Sequence, residues 1–276
     1  MPTFSVITVC FNEAGHIKDT LDSIVSQSCN DYELIVVDGE STDGTKDVIK
    51  QYDNHITWWC SERDKGIYNA MNKGVRHATG DYVIFMNGGD CFYDSTVLHD
   101  MVQTGLHADV IEALAVKKGT QELIRQHDPD LGRTLLTDCL CHQSTFIRRE
   151  LLERFPYDET YKIASDWKFW LQTLLCHACT YQFVDRVVAA MDVNGITYSQ
   201  LDLNKKERDA ILAQFLPQGF AAPVISLIHE HHKMTHDILI QYVLFLEKHS
   251  MRSYHILRKT AKRMVNYVKW KKGSNQ

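Results

Sequence analysis

The stretch "DYVIFMNGGDCFYD", residues 81–94, decides how the chain is read. A short apolar run from Tyr82 to Met86 breaks off into Asn87, Gly88, Gly89 and Asp90, with Asp94 just beyond. An apolar run this short, bounded by Gly and Asp, has the signature of a buried strand rather than a helix. Taken alone, the Asn-Gly-Gly-Asp ending reads as a simple turn.

The neighbouring segments make it one of a series. "FSVITVCF" (4–11), "YELIVVD" (32–38) and "ITWWC" (56–60) are further short apolar runs. Between them lie helical spacings: Ile17, Leu21, Ile24 and Val25 within 14–27, a segment capped in "STDGT", and "GIYNAMNKGVRHATG" closed by Gly80. Short buried strands alternating with helices predict an α/β fold, Rossmann-like, with a mostly parallel central sheet and helices on both faces. From residue 100 to 197 the pattern changes to mixed strands and short helices, and 198–276 reads as a helical extension. The expected divisions are therefore 1–99, 100–197 and 198–276.

Open parallel sheets bind ligands beyond the carboxyl ends of their strands. Here those ends are Phe11-Asn12-Glu13, Asp38-Gly39-Glu40, Glu62-Arg63-Asp64 and Asn87-Gly88-Gly89-Asp90. Carboxylates gathered in one place raise one another's pKa unless a cation compensates them. A divalent Mg²⁺ or Mn²⁺, which takes oxygen ligands and often shares them with a diphosphate, would suit Asp90. Glycines 88 and 89 would let a phosphate or sugar come close to the backbone.

Composition narrows the classes. The chain has 276 residues, 44% hydrophobic and 24% charged, enough for one large folded domain or a domain with a subdomain. The start "MPTFSVITVCF" lacks the pattern of a signal peptide, and no run of about 18 apolar residues occurs, so a cytoplasmic protein is expected. Its eight cysteines are then expected to stay reduced. Zinc is not expected, because Cys139-x-Cys141 has the wrong knuckle spacing and Cys176-x-x-Cys179, "CHAC", falls at the end of a helix. Net charge is −5, yet residues 251–276 hold eight Lys or Arg and no acid. This basic, amphipathic tail suits an anionic membrane surface, or packs on the domain with its cations in water. The acidic body disfavours nucleic acid. His229, His232 and His236 read as a solvated helix face.

Four segments in this order and spacing, "SVITVCFNEAGHIKDTLDSIVSQS", "YELIVVDGESTDGT", "SERDKGIYNAMNKGVRHATGDYVIFMNGGD" and "CHQSTFIRRELL" followed by "YDETYKIASDWKFWL", resemble the inverting family 2 glycosyltransferases of GT-A fold. The branch they look most like builds bacterial surface polysaccharides of the colanic acid and capsule type, and the match spans roughly residues 3–197. The resemblance implies transfer of a sugar from a nucleotide diphosphate sugar, expected to be a UDP-sugar, to a hydroxyl of a saccharide or lipid-linked saccharide. It makes 1–99 the nucleotide-sugar half, 100–197 the acceptor half and 198–276 a helical region with a basic tail, with the enzyme at the inner face of a membrane.

Carried over by position, Asp38 matches the acid that recognises base and ribose, and a carboxylate can accept the uracil N3–H or hydroxyl hydrogens. Asp43 is a weaker candidate that also reads as a helix cap. Phe11, Asn12 and Glu13 match the loop beneath the nucleotide. Asp64, Lys65, Asn72 and Lys73 match the segment beside base and diphosphate, although Met71 stands where many relatives have Arg. Asn87, Gly88, Gly89 and Asp90 stand in the place of the D-x-D motif, with Asp90 as its one remaining carboxylate and metal ligand. Asp166 in "ASDWKFW" matches the general base, and an Asp there also reads as a helix N-cap. His142 and Gln143 match a pair that touches donor sugar or acceptor, and Asn194 to Thr197 a loop near the cleft. Trp167 would wall the acceptor site. A sugar nucleotidyltransferase shares the alternating first half but needs a Gly-rich, Arg-containing loop after the first strand, which "CFNEAGHIK" does not supply. A catalytically silent membrane-bound relative is the other alternative.

Overall fold

The structure is a computed structural model that describes residues 2–177, 179–192, 200–216 and 225. The tail at 251–276, the histidines at 229, 232 and 236 and the loop at 194–197 lie outside the described residues.

The first seven elements are β1 (Phe4–Cys10), α1 (Ile17–Val25), β2 (Tyr32–Asp38), α2 (Thr45–Lys50), β3 (Trp58–Ser61), α3 (Ile67–His77) and β4 (Tyr82–Phe85). Their strands pair in parallel in the order β3-β2-β1-β4. Side chains alternate across β1 and β2 because successive Cβ atoms of a strand point to opposite faces. Ile7, Val9, Ile35 and Val37 meet Met71 of α3 on one face. Phe4, Val6, Leu34 and Val36 meet Ile17, Leu21 and Ile24 of α1 and Ile49 of α2 on the other. Helices do cover both faces. Gly74 brings α3 close to the sheet, since a Cβ there would lie 2.5 Å from Ile7 Cγ2.

Beyond β4 come β5 (Cys91–Phe92), α4 (Val97–Gln103), β6 (Val110–Lys117), α5 (Leu131–Thr137), β7 (Thr145–Arg148), α6 (Arg149–Arg154), α7 (Ser165–Trp170), β8 (Tyr181–Met191) and α8 (Leu201–Phe215). The eight-stranded sheet runs β3-β2-β1-β4-β7-β6-β8-β5. Here the expectation of a mostly parallel sheet is corrected: β4–β7, β6–β7 and β5–β8 are antiparallel, and β6–β8 is parallel. The sheet is mixed because β7 inserts between β4 and β6 in the opposite sense, and a strand's own apolar pattern does not encode its direction. β4–β7 and β5–β8 also join the segments before and after residue 99 in one sheet.

Two local readings change. The helix in "GIYNAMNKGVRHATG" ends at His77, and Gly80 serves instead as a point of close approach, where a Cβ would sit 2.7 Å from the backbone of Phe4 and Ser5. Asp166 is not an N-cap. It lies inside α7, whose cap position is Ala164, and the helix continues as a π-helical turn over Leu171–Cys176.

Candidate active site

In the order β3-β2-β1-β4 the chain winds outward from β1 in one direction and then returns to place β4 on its other side, so a crevice opens between the ends of β1 and β4. A cavity of about 290 Å³ lies there, lined by Val9, Cys10, Phe11 and Glu13 after β1, Asn87 and Gly88 after β4, and Asp64, Gly66, Ile67 and Ala70 around the start of α3. Five of the expected residues, Phe11, Glu13, Asp64, Asn87 and Gly88, are thus brought to one cavity. Phe11 stands 60% exposed at its rim, an aromatic face open to a flat ring. Gly88 is tightly packed: a Cβ would lie 3.0 Å from Glu13 Cγ and 3.1 Å from Cys10 Cβ.

The remaining expected residues take other positions. Asp38 is wholly buried beneath the cavity. Its carboxylate accepts hydrogen bonds from Ser41 N–H (3.0 Å), the Ser41 hydroxyl and the Ser61 hydroxyl (2.5 Å). It therefore ties the loop after β2 to the end of β3. Asn12, at a positive φ of 55° that Asn tolerates, accepts from Thr42 N–H through Oδ1 while its own N–H donates to Ser41 Oγ. Asp43 accepts from Thr45 and from Ala14 N–H, so it pins the two loops together as well. Asn72 is buried in reciprocal bonds with the Tyr157 backbone, donating to its carbonyl and accepting from its N–H. Lys73 pairs with Glu62 at 2.8 Å, and Lys65 is exposed outside the cavity lining. Asp38, Asn72 and Lys73 each make contacts that tie neighbouring segments together, which sequence position alone does not reveal.

Asp90 sits 5% exposed behind the turn. Gln143 Nε2–H donates to one oxygen (3.1 Å) and Asp192 N–H to the other (3.0 Å). Burial pushes its carboxyl up to about 6 despite these two bonds. The Asn87 Oδ1 atom, three residues earlier, is buried without a partner. Gly89 adopts φ +100° and donates its N–H to Thr20 Oγ1, fixing the turn on α1. Among the described residues no group of three His, Cys, Asp or Glu side chains could hold a metal by itself. A carboxylate starved of countercharge beside an orphaned amide oxygen nevertheless fits a cation whose other ligands come from a substrate.

Asp166 lies near the start of α7. Its Oδ1 is 2.9 Å from Tyr68 Oη and 2.8 Å from its neighbour Trp167 N–H. Its Oδ2 is 3.2 Å from His142 Nδ1 and 3.7 Å from the Cys139 thiol. Burial would push the carboxyl up, but the hydrogen bonds from His142, Tyr68 and the Trp167 N–H outweigh it and hold Asp166 below the usual range. His142 Nε2 in turn lies 3.1 Å from Asn87 Nδ2. The 3-10 turn His142–Ser144 thus serves both ends of the site, since His142 holds Asp166 and Gln143 holds Asp90. Trp167 is buried, donating its indole N–H to Leu135 O, so it packs in the core rather than walling an open site.

Sequence reasoning missed two residues of this site. Tyr68, read only as part of a helix, shares its hydroxyl proton between Asp166 and Ile163 O (2.5 Å). Glu207 on α8 accepts three backbone N–H groups, from Lys162 (2.9 Å), Ile163 (2.9 Å) and Ala164 (3.0 Å), and so anchors the segment leading into Asp166. A signal existed: Glu207 falls four residues before Ile211, on the apolar face of its helix.

Comparison with known proteins places the chain in a family and agrees with its fold. The family description "Glycosyl transferase family 2" matches residues 5–111. A PGL/p-HBAD biosynthesis glycosyltransferase of Mycobacterium tuberculosis is 32% identical over 202 residues, covering 70% of this chain and 78% of the relative. TuaG of Bacillus subtilis, a putative teichuronic acid biosynthesis glycosyltransferase, is 40% identical over 92 residues, covering 32% of this chain and 36% of that one. Among solved structures, S. aureus TarS 1-349 in complex with UDP-GlcNAc shares the fold at TM-score 0.61 and 20% identity, covering 83% of this chain and 72% of that fragment. The chain spans 43% of the longer TarS structure. The mannosyltransferase PcManGT of Pyrobaculum calidifontis, in complex with GDP-Man and Mn²⁺, superposes at TM-score 0.61 and 19% identity, covering 98% and 83%.

Proposed function

Because the chain belongs to glycosyltransferase family 2, we propose that it transfers a sugar, with inversion, from a nucleoside diphosphate sugar bound between β1 and β4 to a hydroxyl of a saccharide or lipid-linked saccharide. The observation that carries this reading is a carboxylate, Asp166, held by four donors at two hydrogen bonds' remove from the cavity wall. In the step proposed, the acceptor oxygen forms a bond to the sugar C1 from one face, the bond from C1 to the diphosphate breaks on the other, and the hydroxyl proton passes to Asp166. No second carboxylate is needed, because no covalent sugar intermediate forms. An Asp held below its usual range is a weak base, so its contribution is placement and a proton transfer that follows bond formation.

On the donor side, Phe11 offers a face to the base, and Asp64 a carboxylate at the same rim. Asp38, Asn12, Ser41 and Asp43 act beneath them by fixing the loops. Asp90 would hold a Mg²⁺ or Mn²⁺ together with diphosphate oxygens. Such a cation, when bound, stabilises the charge that develops on the leaving diphosphate. The UDP-GlcNAc complex of TarS and the GDP-Man complex of PcManGT leave two bases to compare, and the resemblance of the motifs favours UDP. The teichuronic acid assignment of TuaG supports a place in surface-polysaccharide synthesis. The eight Lys and Arg of 251–276 support a cytoplasmic enzyme lying at an anionic membrane where a lipid-linked acceptor resides.

Calorimetric titration of UDP and GDP, with and without Mn²⁺, tests the donor site on the parent and on Asp90→Asn. The expected result is UDP binding that strengthens with Mn²⁺ and weakens at least tenfold in the variant. Absence of binding by either nucleotide at every metal condition would contradict the reading.

A further inference from the structure

Asn87 stands where the motif resemblance places a carboxylate, and the structure gives it a partner on the opposite side of the site. Its Nδ2 lies 3.1 Å from His142 Nε2, and His142 Nδ1 lies 3.2 Å from Asp166 Oδ2. We propose that His142 is a positioning residue for Asp166, locked by Asn87 in the tautomer that carries its proton on Nδ1. The Asn of "MNGGD" then acts through its Nδ2 on the proton-accepting end of the site. The proposal rests on reading Asp166 as the base.

The argument is one of donors and acceptors. The ring nitrogen facing a carboxylate must carry the proton, because two lone-pair groups repel. In a neutral imidazole the other nitrogen then has only a lone pair to offer, and it needs a donor. An amide supplies one through Nδ2, whereas an ionised carboxylate at position 87 supplies none. A carboxylate there would be satisfied only by a doubly protonated ring, with an imidazolium held between two acids. Asp166 would then face a full positive charge and give up its lone pair less readily to an incoming proton.

The surroundings leave this assignment in place. The edge of Phe85 meets the ring at a centroid distance of 6.2 Å, an apolar contact that holds its plane. The titratable groups around the His142–Asp166 pair are the Asp90 carboxyl, the Tyr68 and Tyr157 phenols and the Cys139 thiol. Burial holds both phenols and the thiol protonated, so none of them competes with Asn87 for His142 Nε2. Cys141 is likewise buried, its thiol pushed up to about 12.

The test uses the full chain labelled with ¹⁵N-histidine, with long-range ¹H–¹⁵N correlation at pH 8 and His142→Gln to assign the signal. The parent is expected to show His142 with its proton on Nδ1 and Nε2 bare, and Asn87→Asp a ring protonated on both nitrogens at the same pH. Asn87→Ala, which removes the lock without adding charge, is expected to show a mixture of tautomers. A parent ring protonated on Nε2 alone, or an Asn87→Asp ring unchanged from the parent, would overturn the proposal. In turnover of the UDP-sugar found as donor, His142→Phe should lose about 10- to 100-fold in kcat with donor KM within about twofold, and its acidic limb should move to higher pH. A parental kcat and limb would count against it. Asp166→Asn separates the two readings: parental turnover there would remove the base assignment while leaving the imidazole result as measured.

Discussion

Replacing Asp90 with Asn should make the ligand-free protein more stable, and the gain should depend on pH. The Asp90 carboxyl is raised from an ordinary value of 3.8 to about 6, chiefly by burial. A group whose folded pKa lies above its unfolded value favours folding in its protonated state, and that advantage disappears as pH rises through the folded pKa. At roughly 1.4 kcal/mol per pH unit, the ionised carboxylate costs the folded state about 3 kcal/mol above pH 7, about 1 kcal/mol near pH 4.5 and almost nothing at pH 3. The amide avoids this cost, and the Gln143 amide, which now donates to Asp90, can reverse to accept from it. Urea unfolding of parent and Asp90→Asn from pH 4 to 8, without divalent cation, should show a difference that grows by about 2 kcal/mol between pH 4.5 and 8. In a chain of this size this is a rise in Tm of roughly 5 °C at the upper pH. With Mn²⁺ and UDP present the parent should recover stability and the variant should not, because only a folded state with the carboxylate binds the cation. A pH-independent difference, or a variant less stable than the parent at pH 8, would refute the assignment of Asp90 as a charge held without its counterion.

Glu207→Ala leaves three backbone N–H groups without their acceptor; a loss of about 3–5 kcal/mol in unfolding free energy is expected, with Glu207→Gln in between and kcat reduced before donor binding. Gly74→Ala places a methyl 2.5 Å from Ile7 Cγ2 and should cost about 1–3 kcal/mol without altering UDP affinity in the folded fraction. Tyr68→Phe removes one of the bonds that hold Asp166 low. Its acidic limb of kcat/KM should therefore move to higher pH, and a limb unchanged from the parent would mean that Tyr68 does not touch the base in the working enzyme.

The alternation of short apolar runs with helical spacings located β1 to β4 and the helices between them, because burial on both faces leaves a pattern in each strand by itself. The antiparallel insertion of β7 and the return of β5 to the far edge left no such pattern, since pairing direction belongs to two segments at once. The same division holds at the site. Phe11, Glu13, Asp64, Asn87 and Gly88 end strands or open a helix, and position along the chain is enough to bring them together. Asp38 and Asn72 follow the same motifs but are buried in bonds to Ser41, Ser61 and Tyr157, contacts that depend on packing. The pairing of His142 with Asp166, 24 residues apart, and the reach of Glu207 back to residues 162–164 likewise exist only once the sheet and α8 have assembled.

The central claim is that Asp166 accepts the proton while the donor site works independently of it. It is tested most directly by measuring UDP release from a UDP-sugar, with an acceptor saccharide present, for the parent and Asp166→Asn, alongside UDP affinity by calorimetry. The account predicts UDP affinity within about twofold and a rate lower by at least 10²-fold, the range expected when a positioned base is lost. Comparable rates in the two proteins would contradict it.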